Sequence, residues 1–182
     1  PDTYFLSSGM SPEDVVKTMI AEFVSNYSFD LRQRAEEMGF SILETLTLAS
    51  IIEGEAVLAS ERKTISGVYH NRLKRGMRLQ ADPTIQYIIE DGPRRLLNKD
   101  LEIDSPYNTY KYAGLPPGPI SNPVRESIVA CLYPEDVKYL YFVANGDGSH
   151  TFSRTLREHI QAKTKFDKHR RKVEGAARKK NG

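Results

Sequence analysis

The chain has 182 residues, 39% of them hydrophobic, enough for one main core, since domains usually hold about 100–200 residues. Its 26 basic and 24 acidic side chains leave a formal net charge of +2, which gives no reason to expect a nucleic-acid partner. Cys131 is the single cysteine, excluding an intramolecular disulfide and a multi-cysteine zinc site, and no apolar run approaches the roughly 20 residues of a membrane span.

The chain opens on Pro1-Asp2-Thr3-Tyr4 without an initiating Met, which reads as a fragment whose anchor or export signal lies outside the sequence. Ser11 precedes Pro12, Glu13 and Asp14: a capping side chain, a proline suited to a first turn, and two acids near a helix N-terminus. They predict a helix through Val15, Met19 and Phe23. Residues 30–38, rich in Arg, Gln and Glu, predict a second helix ending at Gly39. Ser41 opens an apolar-periodic stretch through Leu43, Leu46, Leu48 and Ile52, with Glu44 as its capping-box partner. A further helix is expected over residues 59–73, where Ile65, Val68, Tyr69 and Leu73 recur at helical spacing before Gly76.

Residues 76–123 hold most of the prolines and many glycines. Long non-periodic loops in a compact domain are commonly functional, so the binding groove is expected here. Pro123 starts a short helix through Ile128 and Leu132 that Pro134 ends. Residues 139–143 read as a buried strand, Asn145-Gly146-Asp147-Gly148 as a hairpin turn, and residues 150–153 as its partner strand. A last helix over about residues 154–166 precedes a tail rich in Lys and Arg, which reads as disordered and solvated rather than as a nucleic-acid arm. The fold class is therefore α+β: a helix-rich domain with a small antiparallel hairpin and long central loops.

The chemistry begins at Glu53-Gly54-Glu55. At 100° per residue, Leu48, Ile51, Ile52, Ala56 and Ala59 fall on one face with Glu55 among them, while Glu53 falls with Ser50 and Ser60 on the other. Apolar surroundings disfavour a charged carboxylate, so Glu55 would keep its proton to the pH a general acid needs. The alternative is that Gly54 ends or kinks the helix and leaves both acids on the surface. Competing centres are weak. His70, His150, His159 and His169 share no metal-ligand spacing, no Gly-x-Ser-x-Gly elbow occurs, and Gly146 and Gly148 belong to a hairpin rather than a phosphate loop. Cys131 reads as an inert buried thiol. No metal and no cofactor is expected.

The sequence around Glu55 resembles the YceG-like family, the endolytic murein transglycosylases of bacteria. The resemblance rests on several blocks in order: residues 48–55, Ala59-Ser60-Glu61-Arg62, Val68-Tyr69-His70-Asn71-Arg72-Leu73, residues 76–84, Tyr107-Asn108-Thr109-Tyr110, residues 114–120 and residues 139–144. It covers about residues 40–166, taken as the catalytic core, with 1–39 a helical segment continuous with it and 167–182 the basic tail. The family's catalytic glutamate is the second acid of the pair, here Glu55, which agrees with the helical-face reading. Gly54-Glu55-Ala56 is a departure, because relatives often carry Lys before the glutamate and Thr or Ser after it. The resemblance also implies a lysozyme-like arrangement around the active site.

It further implies cleavage of the MurNAc-β-1,4-GlcNAc bond of nascent peptidoglycan without water, ending glycan elongation. Ordinary glycosidases use two carboxyl groups. Here the muramic C6 hydroxyl would attack its own anomeric carbon and leave a 1,6-anhydro end. Intramolecular attack has a high effective concentration, so one group suffices to protonate the leaving oxygen and later accept the hydroxyl proton. Gln80, Asp82, Thr84, Tyr107, Asn108, Thr109 and Tyr110 offer the amides, hydroxyls and rings suited to a sugar polymer, and His150 lies just past the hairpin. Each has a structural reading as well: Asn108 capping a turn, Asp82 capping a helix at Pro83, His150 as an ordinary strand-end histidine. Expected partners are peptidoglycan glycan strands and cell-wall synthases of the elongation or division machinery. The expected location is an inner-membrane anchor with the catalytic domain on the periplasmic side. Two rival readings stay open: a hydrolytic muramidase in which Asp82 or Glu53 positions water, and a non-catalytic glycan-binding module of the wall-synthesis complex.

Overall fold

The first helix, α1 (Pro12–Asn26), starts as its sequence predicts, with the Ser11 hydroxyl accepting from the Asp14 amide and Pro12 in the first turn. The computed structural model that shows this describes residues 2–92 and 94–180, from residue 169 onward as backbone only. α2 (Phe29–Glu37) follows and buries Leu31 and Ala35. The capping box that opens α3 (Ile42–Glu55) is complete: Glu44 N–H donates to Ser41 Oγ at 3.2 Å, and Ser41 N–H donates to the Glu44 carboxylate at 2.9 Å.

α3 is the central element. Leu48, Ala49, Ser50, Ile51 and Ile52 are all fully buried, so the helix is covered on every side rather than amphipathic. Around it pack Tyr27, Leu31 and Ala35 from the first 39 residues, Ile65 and Tyr69 from α4 (Arg62–Lys74), Leu79, and Ile128, Cys131 and Leu132 from α6 (Arg125–Leu132). Each large apolar side chain removed from water stabilises the fold by about 1.5–3 kcal/mol. A 3-10 turn, Ala59–Glu61, joins α3 to α4.

Two short elements interrupt the region expected to be loop: α5 (Asp82–Ile88), with Pro83 in its first turn, and a 3-10 turn at Asn98–Glu102. The hairpin is present as β1 (Tyr141–Ala144) and β2 (His150–Ser153), antiparallel with Tyr141 opposite Ser153 and Ala144 opposite His150. Residues 139 and 140, expected in the first strand, precede it as an extended approach, although the Leu140 amide still donates to the Ser153 carbonyl. α7 (Leu156–Lys180) runs past the expected end near residue 166. Its Lys, Arg, Ala and Glu content favours helix over a coil.

The hairpin is placed by α4. Asn71 Nδ2 donates to the carbonyls of Val137 at 2.7 Å and Tyr139 at 3.1 Å, and the Glu135 amide donates to the Lys63 carbonyl. Gly67 makes the close approach possible, since a Cβ there would collide with the Glu135 carbonyl oxygen and lie 2.8 Å from Val137 Cγ2. The strap carries Tyr141 and Phe142 to the side of α4 that bears Tyr69 and Arg72.

Candidate active site

Glu55 is the last residue of α3, and Ala56 turns the chain away in extended conformation. The helix thus reaches the acid and stops, and Ala59 lies beyond it on an exposed turn rather than on its apolar face. The Glu55 carboxyl is half-buried. Tyr69, 1% exposed, donates its hydroxyl to Glu55 Oε1 at 2.8 Å. Removal from water raises the Glu55 pKa from 4.5 to about 7; the Tyr69 hydroxyl opposes the rise, the Asp82 charge adds to it, and the Arg72 charge and Asp82 amide oppose it again. Near neutral pH both protonation states are therefore populated, which a group that first gives and then takes a proton requires. Burial and the neighbouring carboxylate push the Tyr69 phenol upward, so it remains a donor.

The groove in front of Glu55 encloses about 450 Å³. Gly54 lets its floor form: a Cβ at this position would lie 2.6 Å from Pro83 Cβ, so the end of α3 touches the start of α5. That contact sets Asp82 beside Glu55 on the groove. Tyr110 donates its hydroxyl to Asp82 Oδ1 at 2.5 Å, and burial, followed by the Asp82 charge, raises the Tyr110 pKa. Gln80 lines the same wall with a left-handed backbone, φ +49°, a conformation that non-glycine residues seldom adopt outside special sites. Its amide donates to the Thr109 carbonyl at 3.0 Å, which helps hold it there.

The facing wall comes from α4, the hairpin and α7. Arg72, one turn after Tyr69, is 6% exposed and lines the groove; its Nε donates to the Leu140 carbonyl at 2.6 Å and its Nη1 to the Leu79 carbonyl at 2.5 Å. The guanidinium also sits 5.3 Å from the Tyr141 ring centroid. His150 lines the groove at the start of β2, where Glu61 grips it twice, accepting from its backbone amide at 3.0 Å and from Nδ1 at 2.7 Å. A carboxylate can only accept, so Nδ1 carries the proton and Nε2 is the free nitrogen of the ring when neutral.

Five of the sequence-selected residues, Glu55, Gln80, Asp82, Tyr110 and His150, thus line one groove. Three do not. Thr84 and Thr109 are buried behind it, their hydroxyls 2.9 Å apart, with Thr109 Oγ1 also accepting from the Ala81 amide. Asn108 is fully buried and donates to the carbonyls of Leu101 and Ile103 while accepting from the Tyr110 amide. These side chains satisfy loop backbone that would otherwise be buried unpaired, the turn-capping role for Asn108. Tyr107 is also outside the groove, its ring 4.9 Å from that of Tyr87. Glu53 is only partly exposed and lies outside the groove: it accepts from the Ser127 hydroxyl at 2.5 Å and pairs with Arg62 at 3.7 Å, beside a Ser50 that is fully buried. Tyr69, Arg72, Glu61 and His159 escaped selection by sequence. Glu61, Tyr69 and Arg72 do stand in blocks that carry the family resemblance, and Tyr69 and Arg72 lie three residues apart on one helix face.

The site so built offers one half-buried acid in an open groove with polar and aromatic walls, the means for acid-base chemistry on a bulky polar substrate. Residues 1–165 match the YceG-like family, and the chain belongs to that family. It is 44% identical over 170 residues to an endolytic murein transglycosylase of Bacillus subtilis, an alignment covering 91% of this chain and 46% of that protein. An endolytic murein transglycosylase of Streptococcus pneumoniae is 32% identical over 176 residues, covering 90% of this chain and 32% of its own. The crystal structure of a yceG-like protein from Listeria monocytogenes superposes with a TM-score of 0.79 at 43% identity, covering 87% of this chain and 51% of that one. The chain spans less than half the length of these two curated relatives.

Proposed function

We propose that this chain is the catalytic portion of an endolytic murein transglycosylase, with Glu55 as its single proton-transferring residue. The observation that carries the reading is the Glu55 carboxyl itself: half-buried, fixed by Tyr69 at one oxygen, and with a pKa raised to about 7 in the groove. The names of its relatives support the substrate class. Protonated Glu55 gives its proton to the glycosidic oxygen leaving a muramic acid residue. The carboxylate so formed accepts the proton of that residue's C6 hydroxyl as it closes on the anomeric carbon, leaving a 1,6-anhydro end. Gln80, the Asp82–Tyr110 pair and His150 bind and orient the sugars.

Among the described residues no helix is long and apolar enough to cross a membrane. In this reading an anchor outside the sequence holds the domain at the periplasmic face of the inner membrane, where it ends nascent strands beside cell-wall synthases. Hydrolysis is the one rival with an observation in its favour, because Asp82 places a second carboxyl group in the same groove. Mass spectrometry of the products from uncrosslinked strands separates the two. The transglycosylase yields ends one water lighter than a muramidase, without reducing termini; hydrated reducing ends would contradict the proposal.

A further inference from the structure

One wall of the Glu55 groove carries positive charge that has no acidic partner of its own. Arg72, His159 and Lys163 line it, and none of them takes part in an ion pair among the described residues. Arg72 is held rigidly: Nε and Nη1 are taken up by the carbonyls of Leu140, Leu79 and Arg78, while Nη2 makes no hydrogen bond among the described residues. His159 stacks on Tyr141 at 5.3 Å, and its Nδ1 is buried with no hydrogen-bond partner among the described residues. Lys163 follows His159 by four residues on α7, so the two share a face. Burial, then the charges of Lys163 and Arg72, lowers the His159 pKa, which places the three groups close enough to sense one another. The acid whose charge reaches Arg72 is Glu55, which the reaction itself uses.

A buried guanidinium without a carboxylate partner is unfavourable for folding, and the arrangement becomes favourable when a ligand supplies the anion. A polymer of N-acetylated sugars is neutral; in a nascent murein strand the acidic groups hang from muramic acid. We propose that the α7 side of the groove is a carboxylate subsite, where Arg72 Nη2, His159 and Lys163 receive a carboxylate of the stem peptide that the muramic lactyl group carries. The inference rests on the reading that the groove takes murein strands, and it adds that strand charge selects the substrate. A charged wall on one side of the groove also fixes which way the muramic unit lies along it.

The test measures kcat and KM on uncrosslinked strands before and after their carboxyl groups are converted to methylamides. Lys163 is exposed, so Lys163→Met leaves the fold intact, and Lys163→Arg keeps the charge. On native strands Lys163→Met is expected to raise KM about five- to tenfold, with kcat little changed, and Lys163→Arg to restore it. Methylamidation alone should raise the wild-type KM similarly, and the two changes together should cost no more than either one. An equal Lys163→Met effect on both strand types, or none on either, would overturn the subsite while leaving the cleavage reading standing. Failure of the wild type to cleave either strand would overturn both. An amidase removes the stem and frees the lactyl carboxylate that its amide had masked: an effect that vanishes on such strands assigns the native ligand to the stem acids, and one that persists shows that the subsite also takes a carboxylate at the lactyl position.

Discussion

A carboxyl group with a pKa of about 7 when folded and about 4.3 in an unfolded chain holds its proton more tightly in the native state. Its contribution to stability is therefore fully present below the unfolded pKa and is lost as the pH rises to 7. Above that, ionised Glu55 is a standing penalty of up to roughly 3 kcal/mol. Glu55→Gln removes it. Urea unfolding should find the variant more stable than wild type at pH 8 by up to that amount and equal to it at pH 4; equal stability at both would show that Glu55 is not desolvated. Tyr69 acts on the same carboxyl from the other side. Its hydroxyl bond to Oε1 lowers the Glu55 pKa, so Tyr69→Phe should move the alkaline limb of the rate profile to higher pH and reduce the maximal rate about tenfold. An unmoved limb would mean the hydrogen bond does not tune the acid.

Among the elements, α4 carries the site, since it presents Tyr69 and Arg72 and straps the hairpin beside them through Asn71. The strap depends on the bare backbone of Gly67 against the Glu135 carbonyl. Gly67→Ala should therefore destabilise the fold by about 1–3 kcal/mol despite its better helix propensity, read as a lower midpoint in denaturant; a rise in the midpoint would show that the segment moves aside freely. The helices were readable where local chemistry sets their ends, as at Ser11-Pro12 and the Ser41–Glu44 box. α5 was not, because seven residues between Ala81 and Ile89 give periodicity too little length. The polar face of α3 differs from its helical-wheel reading: the Ser50 and Glu53 side packs against α6 and the Ile120 amide and keeps only part of Glu53 in solvent, a tertiary contact invisible to a helical wheel.

For the whole molecule, the groove is assembled from residues as far apart in sequence as Glu55, Asp82, Tyr110 and His150, which explains the uneven legibility of the site. Glu55 announces itself by an acid among apolar neighbours, whereas its partner Tyr69 reads simply as a core tyrosine. Thr84, Asn108 and Thr109 are polar for the sake of buried backbone, and composition cannot distinguish that from sugar binding. α7 enters the fold through its first turns, where His159 stacks on Tyr141 and Phe166 is the side chain a Cβ at Gly146 would meet. Deleting residues 168–182 should shift the melting temperature by no more than about 2 °C, and a larger drop would assign the end of the chain a folding role.

The central claim is that Glu55 moves the proton and Glu53 does not. Gln is nearly isosteric with the protonated acid and still accepts from Tyr69, so the fold and strand binding survive, but it delivers no proton, and acid-base assistance is worth about 10²–10⁴-fold for a single step. The direct measurement is product formation on polymerised, uncrosslinked strands by purified Glu55→Gln and Glu53→Gln, with circular dichroism and co-sedimentation as controls. The account predicts no detectable anhydro product from a folded, strand-binding Glu55→Gln protein. It predicts retained cleavage, at reduced stability, from Glu53→Gln, whose wild-type carboxylate holds Ser127 and Arg62. Near wild-type cleavage by Glu55→Gln, or a folded but inactive Glu53→Gln protein, would contradict it.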